Sequence, residues 1–220
     1  MEKMKVHVNG KVIVSLVMTI FLIAGFFVVS ASAKEIVLKG YYIWGKRWES
    51  NEAYFKWAEM VNEFGKGLVR IQFVGGPETI PSLDALDYLR RGAIDVMNTA
   101  MGYHSGVVPE GEAISMWYGP PWVERESGFI DLLDKIYRKK VGLTLLGRAQ
   151  TGGAVCLFSR KPVDKLDLTG LKFRSLKAYD PVVKMLGGTV QMISAEEVYS
   201  ALERGVVDGM GWSGVGTTWV

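Results

Sequence analysis

Cysteine is almost missing from this chain: Cys156 is the only one among 220 residues, so no intramolecular disulfide can form. Within the apolar run 154–158 it reads as a small buried hydrophobe. Histidine is nearly as scarce, with His104 the only one beyond the N-terminal region. A zinc site needs three or four nitrogen, sulfur or carboxylate ligands at suitable spacing, and one histidine with one cysteine is no usual set. Serine nucleophiles need an oriented base, and no serine stands in a nucleophile-elbow pattern. The glycine-rich stretch Gly75-Gly76-Pro77-Glu78 is no phosphate cradle, because Pro77 removes an amide donor. Hydrolase, metalloenzyme and nucleotide-dependent readings are therefore disfavoured, and no metal or cofactor is expected. One-sided charge is lacking too. Beyond residue 33 the chain carries 23 basic and 22 acidic side chains, which gives no electrostatic footprint for nucleic acid or anionic lipid.

What is present begins at the N-terminus. Lys3, Lys5 and Lys11 precede an apolar run from Val12 to Val29, followed by Ala31-Ser32-Ala33. A basic stub, an apolar stretch and a small-x-small site describe a secretory signal over residues 1–33, with cleavage expected before Lys34. The run is longer than an ordinary signal core, so an uncleaved anchor is the alternative.

From Lys34 onward strand-like and helix-like segments alternate. Strands are predicted at Glu35–Ile43, Leu68–Val74 and Ile94–Thr99. Helices are predicted at Ser50–Phe64 and from Ser82 to Arg91, each with its serine as N-cap. The aromatic, proline-broken stretch 117–122 is expected to be neither helix nor central strand. Glu124–Lys140 reads as one amphipathic helix burying Phe129, Leu132, Leu133 and Ile136. Strands follow at Thr144–Ala149, Gly153–Ser159, Lys172–Ser175 and Val190–Ile193. Helices are predicted at Ala178–Leu186 and Ser194–Arg204, the latter with Ser194 and Glu197 at capping-box spacing. This alternation is the grammar of βαβ units around mainly parallel sheets.

One seven-residue pattern occurs twice: Leu89-Arg90-Arg91-Gly92-Ala93-Ile94-Asp95 and Leu202-Glu203-Arg204-Gly205-Val206-Val207-Asp208. Each ends a helix, turns at a glycine and enters a strand through an aspartate. The repetition suggests two lobes of similar build with a cleft between them, where small ligands usually sit. Aromatic residues gather where strands should end: Tyr41, Tyr42, Trp44 and Trp48; then Tyr103, Trp117, Tyr118 and Trp122; then Trp212 and Trp219. Ligands of parallel sheets collect beyond such ends. Most of these rings read as core or interface filler, and Trp44, Tyr103 and Trp212 are placed at the cleft. Asn98, in the third strand, joins them as a candidate contact. Leu171-Lys172-Phe173-Arg174-Ser175 alternates, setting Arg174 opposite Phe173. At a strand end beside a cleft an arginine grips a carboxylate through two parallel hydrogen bonds; the alternative is a surface arginine on an exposed strand face.

Taken in order and spacing, several segments resemble the substrate-binding proteins of tripartite ATP-independent periplasmic (TRAP) transporters, the DctP-like family. They are Gly75-Gly76-Pro77-Glu78, Arg91-Gly92-Ala93-Ile94-Asp95, residues 103–110, Leu168-Thr169-Gly170-Leu171-Lys172-Phe173-Arg174, Leu186-Gly187-Gly188, and residues 197–202 running into 205–209. The resemblance implies a two-lobed periplasmic-binding-protein-like α/β fold, with a first lobe over residues 34–149 and an incomplete second lobe over 150–220. It implies a protein that captures a small organic acid and hands it to TRAP permease subunits, with Arg174 as the carboxylate grip and Trp212, Trp44 and Tyr103 lining the pocket. No nucleic-acid partner is implied, and a monomer is expected. A periplasmic sensor or adaptor domain is the rival reading. Two departures stand out. Ala154 occupies the place of a second arginine found in many acid-binding members, and Gly211 stands where some relatives carry a metal-binding glutamate.

Overall fold

In the computed structural model, residues 34–150 and 155–213 are described. The predicted signal over residues 1–33, Ala154 and Trp219 lie outside them. Strand β1 (Ile36–Tyr42) is followed by a 3-10 turn (Glu49–Asn51) and helix α1 (Glu52–Phe64). Then come β2 (Val69–Gly75), α2 (Ala85–Arg90) and β3 (Val96–Asn98). These three strands form one all-parallel sheet in the order β2-β1-β3, with Ile36 opposite Val69 and Gly40 opposite Val96.

After 3-10 segments at Met101–His104 and Pro109–Met116, helices α3 (Pro121–Glu126) and α4 (Phe129–Val141) cover this first half. The second half has β4 (Val155–Ser159), β5 (Lys172–Ser175), α5 (Asp180–Met185), β6 (Thr189–Met192), α6 (Val198–Glu203) and β7 (Gly209–Ser213). Its sheet runs β4-β7-β5-β6. The last three strands are parallel, and β4 adds an antiparallel edge. Thus β6-β5-β7 repeats the order and direction of β2-β1-β3, and the two-lobed, mainly parallel α/β reading holds.

The duplicated heptapeptide explains why the halves match. Gly92 and Gly205 stand at φ 71° and 70°, a left-handed conformation that glycine adopts without a Cβ penalty. Each lets the next residue's N–H reach back across the last helical turn, Ala93 to the Tyr88 carbonyl and Val206 to the Ala201 carbonyl, both at 2.9 Å. That is the six-to-one bond of a Schellman cap. The aspartates then do identical work. The Asp95 carboxylate accepts the Lys39 N–H at 2.8 Å, and the Asp208 carboxylate accepts the Lys172 N–H at 3.0 Å. Each aspartate therefore fixes the register of its strand against the middle strand of the parallel set.

Several local expectations give way. Neither Ser50 nor Ser82 caps a helix: α1 begins after Asn51 and α2 after Asp84, with no side-chain cap bond at either. Ser82 Oγ instead donates to the Ile43 carbonyl at 2.9 Å, tying the loop after β2 to the end of β1. The helix predicted for Glu124–Lys140 is two helices, because Gly128 takes φ 77° between them. That break rotates α4 so that Ile130, Leu133, Tyr137 and Val141 are buried and Leu132 faces out. The stretch 117–122 is partly helical, for Pro121 opens α3, a position where the missing N–H of proline is harmless.

Residues 144–149 form no strand. Their backbone is held by side chains instead: Leu145 N–H by Asp134 at 2.7 Å and the Leu146 carbonyl by Arg125 at 2.7 Å. Arg148 pairs with the buried Glu124. Ser194 Oγ donates to the Glu197 carboxylate at 2.8 Å, but the helix starts only at Val198, so the reciprocal capping box is absent. Cys156 is exposed rather than buried. It lies on an edge strand that no described element covers.

Candidate functional site

The carboxyl ends of β1, β3, β5 and β7 converge on one set of side chains. Arg174 lies in β5 and is only 2% exposed, so the surface-arginine alternative is excluded. Burying a cation demands partners, and Arg174 has them on two of its three nitrogens. Nε donates to the Ile193 carbonyl at 2.8 Å, and Nη1 faces the Tyr179 hydroxyl at 3.3 Å and the Gly211 carbonyl at 3.4 Å. Nη2 is buried and has no hydrogen-bond partner among the described residues. The fork is therefore half engaged already. Of the fork, only Nη2 is left without a partner.

Tyr179 locks this arrangement. Its hydroxyl bonds to the carbonyls of Arg174 and Gly211, both at 3.0 Å. Its ring lies so close to Gly211 that a Cβ there would collide with it. A metal-binding glutamate at position 211 is thus sterically barred. Among the described residues, no three of His, Cys, Asp and Glu cluster to hold a metal ion.

Trp212, next along β7, stacks its ring 5.1 Å from the Arg174 guanidinium carbon, a cation–π distance. Its other neighbour is Trp48, edge-on at 5.5 Å, and Trp48 in turn stacks parallel to Trp44 at 6.2 Å. A ladder of three indoles therefore runs from the arginine of the second half into the loop after β1 of the first. Trp44 and Trp212, both assigned to the cleft from sequence, form the two ends of this ladder. Trp48, read as filler, is the rung between them. Its signal was available in the spacing of two tryptophans on one short loop.

Tyr103 also bridges the halves: its hydroxyl accepts the Ala195 N–H at 3.1 Å. Burial pushes the Tyr103 phenol up, while the nearby Arg174 guanidinium pulls the other way. Asn98 is buried in the first half. Its amide donates to the Ser50 carbonyl at 3.3 Å and to Asn51 Oδ1 at 3.2 Å, and Asn51 holds the Trp44 and Gly45 carbonyls. Asn98 supports the tryptophan loop. Tyr179 and the strap at Ser194–Glu196 were not anticipated, because turns that fold back on a strand leave no periodic signal.

Two mainly parallel α/β halves thus meet around a buried cation and a row of indoles. The sequence profile of bacterial extracellular solute-binding protein family 7 (DctP) matches residues 42–216. The chain belongs to that family, whose members are extracytoplasmic solute-binding proteins.

The chain is 28% identical over 165 residues to a monocarboxylate 2-oxoacid-binding periplasmic protein of Nostoc sp. (strain PCC 7120), covering 71% of this chain and 45% of that relative. Among solved structures it resembles a TRAP periplasmic solute-binding protein from Sulfitobacter sp. with bound α-D-taluronate. The TM-score is 0.68 at 24% identity, with 81% of this chain and 60% of that one aligned. It also resembles one from Pseudoalteromonas atlantica with bound sodium and pyruvate, with a TM-score of 0.65 at 21% identity, covering 82% and 57%. The chain thus spans about half the length of the relatives it matches.

Proposed function

We propose that this chain is part of the solute-binding subunit of a TRAP-type uptake system, capturing a small organic carboxylate between its lobes and delivering it to membrane permease subunits. The observation that carries this reading is the unpartnered Nη2 of the buried Arg174 beside Trp212. A buried donor left without an acceptor is unfavourable by about 1–3 kcal/mol, and a ligand carboxylate supplies what is missing. Similar proteins named for, or crystallised with, 2-oxoacids, pyruvate and taluronate support a carboxylate in that place.

Residues 1–33 serve as the export signal, cleaved before Lys34. The first lobe runs over 34–149 and the second begins at 150. The protein binds and releases its solute without chemical change. Trp44, Trp48 and Tyr103 belong to the first lobe, and Arg174 and Trp212 to the second. A carboxylate touching both sets favours the closed form, since only that form offers all the contacts.

Native mass spectrometry of the intact protein purified from cells tests the reading. The expected result is a co-purifying organic acid that is lost in Arg174→Ala. A ligand without an acidic group, or an acid retained in full by the variant, would overturn it.

A further inference from the structure

Resting on that reading, we propose that the site selects a monocarboxylate with a flat, unsaturated body over both short aliphatic acids and dicarboxylates. Two independent features of the site lead there.

The first is the count and placement of charge. Arg174 has one free nitrogen, and its other two are committed to Ile193, Tyr179 and Gly211. One carboxylate fills that vacancy. A second carboxylate on the same ligand would need another cation. The loop that carries the tryptophans has Lys46 and Arg47, but both are exposed, where pairing contributes little. On the opposite side the strap presents an acid. Ala195 N–H is bonded to the Tyr103 hydroxyl, and the next residue, Glu196, accepts the Ser82 N–H at 3.4 Å. Glu196 is exposed as well, so its charge is screened like that of Lys46 and Arg47, and the discrimination rests on Arg174 being the only buried lysine or arginine among the described residues.

The second feature is the aromatic ladder. Trp212, Trp48 and Trp44 are linked at 5.5 and 6.2 Å, and the ladder starts at the arginine that takes the carboxylate. A planar body lies against such rings with offset or edge contacts that contribute beyond the area they bury. A three-carbon acid cannot reach past the first ring. The ladder joins the halves, so a ligand long enough to engage Trp48 also gains contacts that exist only in the closed form.

Isothermal titration of the intact protein with phenylpyruvate, pyruvate and 2-oxoglutarate tests this, because the three share one head group and differ in body and charge. Phenylpyruvate is expected to bind about tenfold or more tighter than pyruvate, and 2-oxoglutarate more weakly than either. Trp48→Ala should shrink the ratio of phenylpyruvate to pyruvate affinity towards one, whatever it does to the affinity for pyruvate itself. Equal affinities for phenylpyruvate and pyruvate, or tightest binding of 2-oxoglutarate, would overturn the selectivity while leaving carboxylate capture standing. Failure of all three acids to bind would sink both.

Discussion

At the scale of single residues, the half-buried Glu112 and the buried His104 work in opposite directions. Glu112 has a carboxylate oxygen without a hydrogen-bond partner. Burial, with Asp180 of the second half adding repulsion, pushes it up from near 4.5 to about 7. The folded protein therefore holds a proton that the unfolded chain releases between those values, and its stability falls as pH rises from 4.5 to 7. Glu112→Gln should flatten that slope and raise the melting temperature at pH 8 relative to the parent. A variant whose melting temperature equals the parent's at both pH 5 and pH 8 would contradict the assignment. His104 is buried against Tyr137, and burial drives it from 6.5 down to about 4. Its neutral form is the folded form, so stability falls as pH drops from 6.5 toward 4. His104→Gln should lessen that acid sensitivity in the same melting series.

At the scale of elements, the duplicated helix–glycine–aspartate unit carries the strongest expectation. Gly92 stands at φ 71° with nothing within 4 Å of the place a Cβ would take. Gly92→Ala would thus act through backbone strain alone, about 1 kcal/mol. Asp95→Ala removes the acceptor for the Lys39 N–H and should be destabilising by about 1 kcal/mol as well. Denaturant unfolding measures both, and stability unchanged in both variants would remove the structural role of the repeat.

These same residues show what was legible from sequence. Glycine and aspartate act on their immediate neighbours, so their roles follow from spacing. The alternation of strands and helices was equally readable. The failures share a cause. Ser82 and the 144–149 segment bond to partners outside their own element, such as Ile43 and Asp134, and Ser50 is tied in through its carbonyl, which accepts from Asn98. At the site, Arg174 and Trp212 were marked by the strand-end rule. Tyr179, which decides how much of the guanidinium remains free, was hidden because its contacts arise only when the turn after β5 folds back.

At the scale of the whole molecule, the halves meet through few side chains. Leu176, at the end of β5, packs into the first half's core beside Tyr41, Ile43 and Tyr103. It does so because Gly102 leaves room: a Cβ at 102 would strike the Leu176 carbonyl and its Cβ. Backbone cannot yield as a flexible side chain can, so Gly102→Ala should push the turn at 176–179 away and bias the lobes open. Small-angle scattering of the intact protein with ligand should then give a larger radius of gyration for the variant, with weakened binding. An unchanged radius and affinity would show that this contact does not govern closure.

The proposed function rests on a buried guanidinium with one unpartnered nitrogen. Calorimetric titration of the co-purified acid into the parent protein and Arg174→Ala is the most direct test. The account predicts a loss of about 2–5 kcal/mol in binding free energy, with no recovery in Arg174→Lys, whose ammonium cannot keep the bonds to Ile193, Tyr179 and Gly211 while offering a free donor. An affinity unchanged by Arg174→Ala would contradict it.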